Sequence, residues 1–389
     1  MPNSIGIIAE YNPFHNGHAY HIRAARKAVG TDNACVAVVM SGSFVQRGDV
    51  AICDKWARAN MALECGADLI IELPVNFACS SAENFAQKAV AILKFLKITH
   101  TAFGAECTDL ASLEIIAKIL KEEPQWYKSA LKSALNEGYS FPEARARAIG
   151  KEYANILLSP NNILAVEYLK ADAPSPILTA RKGANHDDRT IAPDGFASAS
   201  AIRELIATEN FDEIRELMPP IAHEILMERI TGGSAPISIH SLSNAILFHL
   251  RAITPSDLCK TADISEGLEN RIISAANESG TFDECIHKIK TRRYTLSRIR
   301  RAIINSFLSI TAQQTVETPQ YLRILGSTAC GREYLKDNSF DVPVITKSAQ
   351  YKDLLTLDTH ATDIYMLAAP SPKHRVAGQD FTNSPVTIM

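Results

Sequence analysis

The sequence lacks a long apolar run. No segment approaches the ~20 consecutive apolar residues that a membrane-spanning helix needs, and the stretch at 67–73 is interrupted by Asp68 and Glu72. The N-terminal residues also lack the basic segment and the small-residue cleavage site of a secretory signal. We therefore expect a protein that does not cross a membrane and is located in the cytoplasm.

Closely spaced cysteines are absent as well. The eight cysteines lie at least 12 residues apart, so the sequence contains no CxxC motif for zinc binding or redox chemistry. We expect reduced, mostly buried thiols without disulfides. A strong charge excess is also missing, because 40 basic residues oppose 43 acidic ones. Any polyanionic partner must therefore bind to a local basic patch.

The residues that are present fit a globular protein. With 389 residues, 46% of them hydrophobic, the chain is long enough for two or three domains of ~150 residues. Through about residue 205, short β-rich runs alternate with helical patterns, which is typical of βαβ units and a parallel sheet. The predicted strands are 5–10, 35–40, 69–73, 99–104 and 177–180, and the predicted helices include 18–29, 54–65 and 81–96.

Beyond residue 205, apolar residues recur at helical spacing. The segments with this spacing include 221–227, 242–250 and 299–307. We therefore predict an α/β domain at 1–205, followed by a mainly helical domain at 206–389. Short apolar runs at 322–326 and 342–346 precede a polar, proline-rich tail that we expect to fray.

Residues 11–18 carry the most chemical information. They read Tyr-Asn-Pro-Phe-His-Asn-Gly-His and join the first predicted strand to the first helix. In an open α/β sheet, ligands bind outside the carboxyl ends of the strands, and a helix N-terminus attracts anions. Gly17 allows a ligand to approach the backbone, and His15 and His18 can donate to one phosphate and stabilise charge that develops there. The plain alternative is that both histidines only cap or pack the helix.

A metal site is a further alternative for this segment. His15, His18 and His21 offer imidazoles, which are common zinc ligands. However, no cysteine lies nearby in the sequence, and Glu10 is the one neighbouring carboxylate. We therefore predict no metal site here.

The two commonest phosphate-binding loops, GxxxxGK[ST] and GxGxxG, do not occur in the sequence. Phosphate binding must then use another element. Residues 198–203 read Ser-Ala-Ser-Ala-Ile-Arg, so they offer free N–H groups at a predicted helix start, the Ser200 hydroxyl and the forked Arg203 side chain. Alone, this segment is more typical of an ordinary helix cap. Together with the histidine turn, it favours a site for β- and γ-phosphates.

The HxGH turn and the Ser-Ala-Ile-Arg helix start resemble the nucleotidyltransferase superfamily, whose members are related to class I aminoacyl-tRNA synthetases. Longer blocks are similar to the tRNA(Met) cytidine acetate ligase family. These blocks are 6–22, 41–74, 103–106, 159–170 and 197–203, with shorter ones at 292–301, 322–326 and 331–335. The resemblance extends over nearly the whole chain and implies a Rossmann-like HxGH nucleotidyltransferase domain with a parallel sheet.

The family resemblance implies an activity. Family members use ATP and free acetate to form N4-acetylcytidine at the wobble position of elongator tRNA(Met), through an acetyl-adenylate. Acetate is already ionised at neutral pH, so its attack on the α-phosphate needs no general base, and catalysis depends on positioning and charge stabilisation. The cytidine amine is a weak nucleophile, which explains the need for a mixed anhydride. Mg²⁺ is expected because ATP chemistry usually requires it.

The resemblance also implies site residues. The implied ATP contacts are Ile8, Ala9, Glu10, Tyr11, Asn12, Pro13, Phe14, His15, Asn16, Gly17, His18, Ala19, Tyr20, His21, Gly104, Asn161, Asn162 and Arg181. Of these, Asn161 and Asn162 are alternative positions for one asparagine. The expected catalytic residues are His15, His18 and Ser200.

The sequence departs from the family pattern at two places. Ser43 stands where an Asn-type residue is expected, and 185–188 read Asn-His-Asp-Asp where Gly-Tyr-His-Asp is expected. Arg47 and Lys55 are additional candidates for a phosphate or acetate contact. For both, the alternative is a solvated surface charge.

A basic segment is the candidate tRNA-binding site. Residues 286–314 contain no acidic residue, and basic side chains supply salt-dependent affinity for phosphates. The predicted tRNA contacts are Lys290, Arg292, Arg293, Arg298 and Arg301. Apolar residues at 299, 303 and 307 share one helical face, so Arg298 and Arg301 are expected to point outward. The alternative is an amphipathic helix with a solvated basic face.

Three other functions compete with the ligase. A small-molecule nucleotidyltransferase would share both phosphate elements but would not need the helical half. A class I aminoacyl-tRNA synthetase would need a KMSKS-like motif, which is absent. A non-catalytic RNA-binding protein would not turn over ATP, and the presence of both motif histidines argues against it.

Overall fold

The computed structural model describes residues 3–31, 33–180, 195–265 and 267–389. Its ten strands are β1 (Ser4–Ala9), β2 (Cys35–Ser41), β3 (Phe44–Val45), β4 (Asp49–Val50), β5 (Leu69–Leu73), β6 (His100–Ala105), β7 (Pro176–Ala180), β8 (Leu322–Ser327), β9 (Val344–Ile345) and β10 (Val386–Thr387). Eight of these form one sheet in the order β10-β8-β5-β2-β1-β6-β7, with β9 beside β8. The pairs from β5 through β2, β1 and β6 to β7 are parallel, whereas β8 is antiparallel to β5. The strands β3 and β4 form a separate hairpin.

The helices surround this sheet. Those in the first half are α1 (Asn16–Val29), α2 (Lys55–Glu64), α3 (Val75–Ala78), α4 (Ala82–Phe95), α5 (Leu110–Glu122), α6 (Gln125–Asn136), α7 (Phe141–Ala148), α8 (Lys151–Ala154) and α9 (Pro160–Lys170). The later ones are α10 (Ala199–Ala207), α11 (Phe211–Leu217), α12 (Pro220–Gly232), α13 (Ser243–Ala252), α14 (Pro255–Leu258), α15 (Leu268–Asn277), α16 (Phe282–Ile289), α17 (Leu296–Phe307), α18 (Ala312–Val316), α19 (Ala329–Asp337), α20 (Thr356–Met366) and α21 (Gln379–Thr382). No helix within the described ranges is long and apolar enough to cross a membrane.

The sheet is buried on both faces, as its strand sequences predict. All seven residues of β2 are buried, and a near-continuous apolar run is typical of a parallel strand covered by helices on both sides. Val36 and Val38 pack into one hydrophobic cluster with α1, α2 and α10, while Ala37 and Val39 pack into another with α4. The alternation follows from the two-residue period of a strand.

The predicted strands and helices of the first 205 residues are confirmed within a few residues at their ends. Asp54 accepts a hydrogen bond from the Ala57 N–H at 2.8 Å and caps α2. Ser81 caps α4 in the same way through the Asn84 N–H. Gly30 ends α1 with a left-handed φ of 74°, a conformation that glycine adopts without steric cost.

The C-terminal half differs from its prediction in one respect. Its middle part is helical, with α13 to α17 packed around a core that they share with the β3–β4 hairpin, α3 and α20. The chain then returns to the sheet, because β8 pairs with β5 and β10 pairs with β8. The expectation that the tail frays is wrong for its last residues, because β10 pairs with β8 and the Ile388 N–H donates to the Ser327 carbonyl at 3.1 Å. A boundary at residue 205 therefore does not separate the sheet from the helices.

Candidate active site

A cavity of about 1060 Å³ opens at the carboxyl ends of β1, β6 and β7. It is lined by the turn after β1, the start of α10, the β3–β4 hairpin, parts of α7 and α9, and the start of α17. This is the edge where an open α/β sheet binds its ligands. The cavity brings the histidine turn and the 198–203 segment together, as the sequence predicts, and part of the basic segment also lines it.

The histidine turn is built by its own hydrogen bonds. His15 caps α1, because its Nδ1 accepts the Gly17 N–H at 3.1 Å. The His18 side chain points toward the start of α1, where its Nδ1 accepts the His15 N–H at 3.2 Å. The two rings stack with centroids 3.7 Å apart. This reciprocal arrangement is a capping box formed by two imidazoles.

These bonds fix the protonation of the rings. A nitrogen that accepts a hydrogen bond carries no proton, so a neutral His15 or His18 must be protonated at Nε2. Each Nε2–H is then a donor on a ring that lines the cavity. The sequence alternatives of capping and phosphate contact are thus compatible, since each uses a different nitrogen.

Two aromatic residues pack against the His18 ring. The Tyr11 ring contacts the His18 ring edge-on, with centroids 4.7 Å apart, and Phe14 lies 5.4 Å away. Phe14 is fully buried and Tyr11 is 2% exposed. Tyr11 has a φ of 48°, which is unusual for a residue other than glycine. The backbone bends sharply here and brings the turn over the end of β1.

Arg203 joins the second predicted element to the turn. Its Nη1 donates to the Asn12 carbonyl at 2.7 Å, and its Nη2 donates to the Ser200 hydroxyl at 3.2 Å. Ser198 caps α10 by accepting the Ala201 N–H at 3.1 Å. The Ser198, Ser200 and Arg203 side chains all belong to residues that line the cavity. The two segments therefore form one wall, with the positive end of α10 facing the cavity.

Glu10 is a carboxylate at the end of β1 that also lines the cavity. Its Oε1 accepts the Gln46 N–H from the β3–β4 hairpin at 2.7 Å. Burial raises the pKa of Glu10, although this hydrogen bond acts in the opposite direction. The nearby charges of Arg203, Arg47 and Arg58 also favour ionisation.

The residues of the implied ATP-binding stretch, 8–21, divide into those that line the cavity and those that do not. Those that line the cavity are Ile8, Ala9, Glu10, Tyr11, Asn12, His15, Gly17, His18, Tyr20 and His21. Pro13, Phe14, Asn16 and Ala19 are not among its lining residues. Asn16 instead donates to the Gly195 and Glu216 carbonyls. These four residues shape the turn, and their direct contact with ATP stays a prediction.

The structure also distinguishes the two asparagines. Asn161 lines the cavity and donates to Glu106 Oε1 at 2.6 Å, and Gly104 lines it at the end of β6. Asn162 is 3% exposed, with its amide bonded to the Cys107 N–H and the Ile156 carbonyl. The side-chain polar atoms of Asn162 are thus already bonded inside the protein, which favours Asn161 as the asparagine of the predicted ATP contact. Arg181 lies outside the described residues, as do residues 185–188.

The basic segment reaches the cavity through some of its members. Lys290 and Arg298 line it, and Arg298 donates to the Asp263 carbonyl at 3.2 Å. Arg292 is exposed and stacks on Tyr139 at 4.3 Å from the ring centroid, and Arg293 is also exposed.

Arg301 does not point outward. It is 7% exposed, and its Nε lies 2.9 Å from Asp263 Oδ2. The prediction was wrong because a carboxylate distant in the sequence neutralises this side chain. Arg301 still lines the cavity, and its backbone packs closely against Gly48 of the β3–β4 hairpin.

The two additional phosphate candidates have different surroundings. Arg47 lines the cavity. Lys55 is fully buried, with its Nζ 2.8 Å from Glu72 Oε1 and 2.6 Å from Asp380 Oδ1. Lys55 is therefore part of a buried ion cluster, and its prediction as a phosphate or acetate contact is wrong. Ser43 is buried too, and its hydroxyl lies 3.3 Å from that of Thr362.

Comparison with known proteins identifies the family. A family model described as HIGH Nucleotidyl Transferase matches residues 2–380. A protein from Syntrophomonas wolfei named tRNA(Met) cytidine acetate ligase is 40% identical, and the match covers 98% of this chain and 99% of that protein. The chain belongs to the tRNA(Met) cytidine acetate ligase family. Another family member, from Acetivibrio thermocellus, is also 40% identical over 98% of each chain.

Solved structures of this family share the fold. The crystal structure of Thermotoga maritima TmcAL in its apo form I matches with a TM-score of 0.93 and 34% identity over 99% of each chain. The structure of the same protein bound with alpha-thio ATP matches with a TM-score of 0.91 and 33% identity over 99% of each chain. The predicted α/β nucleotidyltransferase fold and the predicted family are both confirmed.

Sequence reasoning missed three residues that hold parts of this site in position. Glu106 holds Asn161 in place, Asp263 neutralises Arg301, and Gly48 brings the hairpin against α17. Glu106 lies in the FGAE block, which was a usable signal. The other two contacts join segments far apart in the sequence, and no local pattern marks them.

An ATP-dependent member of this family is expected to use Mg²⁺. Among the described residues, one group of three potential ligands has donor atoms within 4.8 Å of one another, Cys35, Asp68 and Cys330. These residues are not part of the cavity lining, and Asp68 is already paired with Arg26 at 2.6 Å. Mg²⁺ usually keeps several waters and binds through nucleotide phosphates with one or two carboxylates, and Glu10 and Asp49 are carboxylates that line the cavity.

Proposed function

We propose that this protein is an ATP-dependent ligase that activates acetate as acetyl-adenylate and transfers the acetyl group to N4 of the wobble cytidine of elongator tRNA(Met). The product is N4-acetylcytidine. The observation that carries the proposal is one cavity that combines a histidine turn of phosphate-binding type with a basic wall. The names of relatives with 40% identity over almost the full chain support it.

In the first step, ATP lies with its phosphates between the histidine turn and the start of α10. The nucleotide site is formed by residues 8–21 that line the cavity, together with Gly104 and Asn161. Pro13, Phe14, Asn16 and Ala19 are not among these lining residues. An acetate oxygen attacks the α-phosphorus, and pyrophosphate leaves. The Nε2–H groups of His15 and His18 donate to the α-phosphate oxygens as charge develops, and Ser200 donates to the departing phosphates. Mg²⁺, when bound with ATP, neutralises charge on the phosphates.

In the second step, the cytidine amine attacks the acetyl carbon of the adenylate, and AMP leaves. The tRNA approaches along the basic segment. Lys290 and Arg298 lie at the cavity, and the exposed Arg292 and Arg293 extend the contact outward. Basic side chains at these positions bind phosphates and orient the tRNA, while the cavity selects the base. The tRNA substrate places the reaction in the cytoplasm.

The test is mass spectrometry of a tRNA(Met) transcript incubated with the protein, ATP, Mg²⁺ and isotopically labelled acetate. We expect labelled N4-acetylcytidine, and we expect its loss with His18→Ala, which removes one donor from the turn. The Arg293→Ala variant tests the predicted tRNA-binding segment. It should weaken tRNA binding, while acetate-dependent pyrophosphate release continues.

Other outcomes would point to the competing functions. Pyrophosphate release that depends on acetate, without a tRNA product, would mean that the enzyme forms an adenylate but acts on a different acceptor. If no carboxylate supports pyrophosphate release, the ligase proposal fails. A small-molecule nucleotidyltransferase would then release pyrophosphate with a nucleophile other than a carboxylate, and a non-catalytic RNA-binding protein would bind tRNA without any turnover.

A further inference from the structure

We infer that Glu10 accepts the proton released by the cytidine amine during acetyl transfer. This inference rests on the proposed function and deepens it, since the transfer step needs a base and the adenylation step does not. As N4 attacks the acetyl carbon, the bond between that carbon and the phosphate oxygen of AMP breaks. AMP leaves as a phosphate, which is stable without protonation. The amine proton passes to the Glu10 carboxylate and then to solvent.

Glu10 lies between the two parts of the cavity. Its backbone directly follows β1 and precedes the histidine turn, and its carbonyl accepts a hydrogen bond from Arg58 Nη1 at 2.7 Å. Its side chain points toward the β3–β4 hairpin, where Oε1 accepts the Gln46 N–H. That hairpin in turn contacts the basic helix α17, because Arg300 Nη1 lies 3.2 Å from Asp49 Oδ2. Glu10 therefore lies between the histidine turn, where the acetyl-adenylate is expected, and α17, from which the cytidine of the tRNA would arrive.

The other carboxylates of the cavity wall are held by cations. Asp49 is paired with Arg300 and Asp263 with Arg301. Glu83, on the opposite rim, lies 2.5 Å from Lys170. A carboxylate in a close ion pair is a weak base, because proton uptake would leave its partner uncompensated. Glu10 instead accepts a backbone N–H at one oxygen, which fixes its position without a side-chain cation on that oxygen.

The two imidazoles of the turn, His15 and His18, are less suitable acceptors than Glu10. The Nδ1 atoms of His15 and His18 accept backbone N–H groups, so the neutral rings present Nε2–H, which is a donor. Burial raises the pKa of Glu10, and a carboxylate whose pKa moves toward neutrality is a stronger base. The groups facing it are Arg203 on α10, Arg47 on the hairpin, Arg58 on α2, Tyr168 on α9 and Cys79 after α3.

The test supplies synthetic acetyl-adenylate together with a tRNA(Met) transcript, so that adenylation is bypassed and transfer is measured directly. Glu10→Gln keeps the shape of the side chain and an oxygen for the Gln46 N–H, but it removes the base. We expect its transfer rate to fall by about 10²-fold or more. Acetate-dependent pyrophosphate release should also fall, because Glu10 belongs to the proposed nucleotide site, but by a smaller factor than transfer. The wild-type transfer rate should rise with pH through a midpoint above the ordinary glutamate value of 4.5, and this rise should be absent in the variant.

Glu10→Asp is the second variant, and it keeps a carboxylate one methylene further back. It should transfer faster than Glu10→Gln and retain the pH dependence. Transfer by Glu10→Gln within threefold of wild type would overturn the inference, as would an equal loss in both half-reactions. A Glu10→Asp enzyme slower than Glu10→Gln would also overturn it. If the wild-type enzyme transfers nothing from acetyl-adenylate, the proposed function itself fails, which distinguishes the two failures.

Discussion

His15 and His18 each use Nδ1 to hold the turn, and this division predicts different effects for two substitutions of His18. Asparagine places its amide oxygen near the position of Nδ1, so it can still accept the His15 N–H. Glutamine places its amide nitrogen near the position of Nε2, so it can still donate to a phosphate. We expect His18→Asn to remain folded and to lose about 10²–10³-fold in acetate-dependent pyrophosphate release. His18→Gln should lose less activity.

Thermal unfolding and single-turnover adenylation measured on both variants check this prediction. His18→Asn should melt at or above the temperature of His18→Gln, because it keeps the capping acceptor. The order of activities should be the reverse. If the asparagine variant is the more active one, Nε2 is not the atom that contacts the reacting phosphate.

The β3–β4 hairpin connects the phosphate side of the cavity to the basic helix α17, and Gly48 makes this contact possible. It has a φ of +72°, and a Cβ there would lie 2.4 Å from the Arg301 backbone nitrogen. Gly30 is a matched control with a φ of +74°, where a Cβ would meet no atom of the described residues within 4 Å. Alanine at either position costs about 1 kcal/mol for the left-handed backbone.

Gly48→Ala should therefore be less stable than Gly30→Ala. The additional loss, from pushing the hairpin away from α17, is expected to be about 1–3 kcal/mol. Urea unfolding of the two variants measures the difference. Because the hairpin also holds Glu10, Gly48→Ala should slow acetyl transfer more than adenylation. Equal stability of the two variants would show that the hairpin and α17 separate without cost.

The elements that could be predicted from the sequence are those whose signals are local. β2 is a continuous apolar run, and Asp54 and Ser81 are cap residues placed just before helical patterns. In each case the residue that carries the signal also makes the contact. The histidine turn belongs to this class, because its hydrogen bonds join residues three or fewer positions apart.

The features that escaped prediction depend on distant partners. Arg301 lies on a helix whose apolar face was correctly predicted, but its exposure is decided by Asp263, which is 38 residues away. The choice between Asn161 and Asn162 depends on the rotation of α9, which Glu106 fixes from the loop after β6. Spacing along one segment carries no information about such contacts.

A buried ion cluster connects the C-terminal residues to the catalytic sheet. Lys55 on α2 and Arg323 on β8 are both 3% exposed or less, and both contact Glu72 on β5 and Asp380 on α21. Two cations thus share two carboxylates inside the protein. Because the partners come from four elements, the cluster holds the returning tail against the sheet that carries the cavity.

Asp380→Asn should lower the free energy of unfolding of the whole molecule by about 3 kcal/mol, because it leaves a buried cation without its counter-charge. Burial raises the pKa of Asp380, but the charges of Lys55 and Arg323 outweigh burial, so the pKa lies below its ordinary value of 3.8. The contribution of this carboxylate to the free energy of unfolding is therefore complete above pH 3.8. It is lost as the pH falls through the pKa that Asp380 has in the folded protein.

Urea unfolding at pH 7, 5 and 3 measures the difference in the free energy of unfolding between wild type and Asp380→Asn. This difference should be equal at pH 7 and pH 5 and smaller at pH 3. Asp341→Asn, at an exposed aspartate, is the control and should change stability by less than about 0.5 kcal/mol. If Asp380→Asn is as stable as this control at pH 7, the buried charges are compensated by Glu72 alone, and the tail is held by the pairing of β10 with β8.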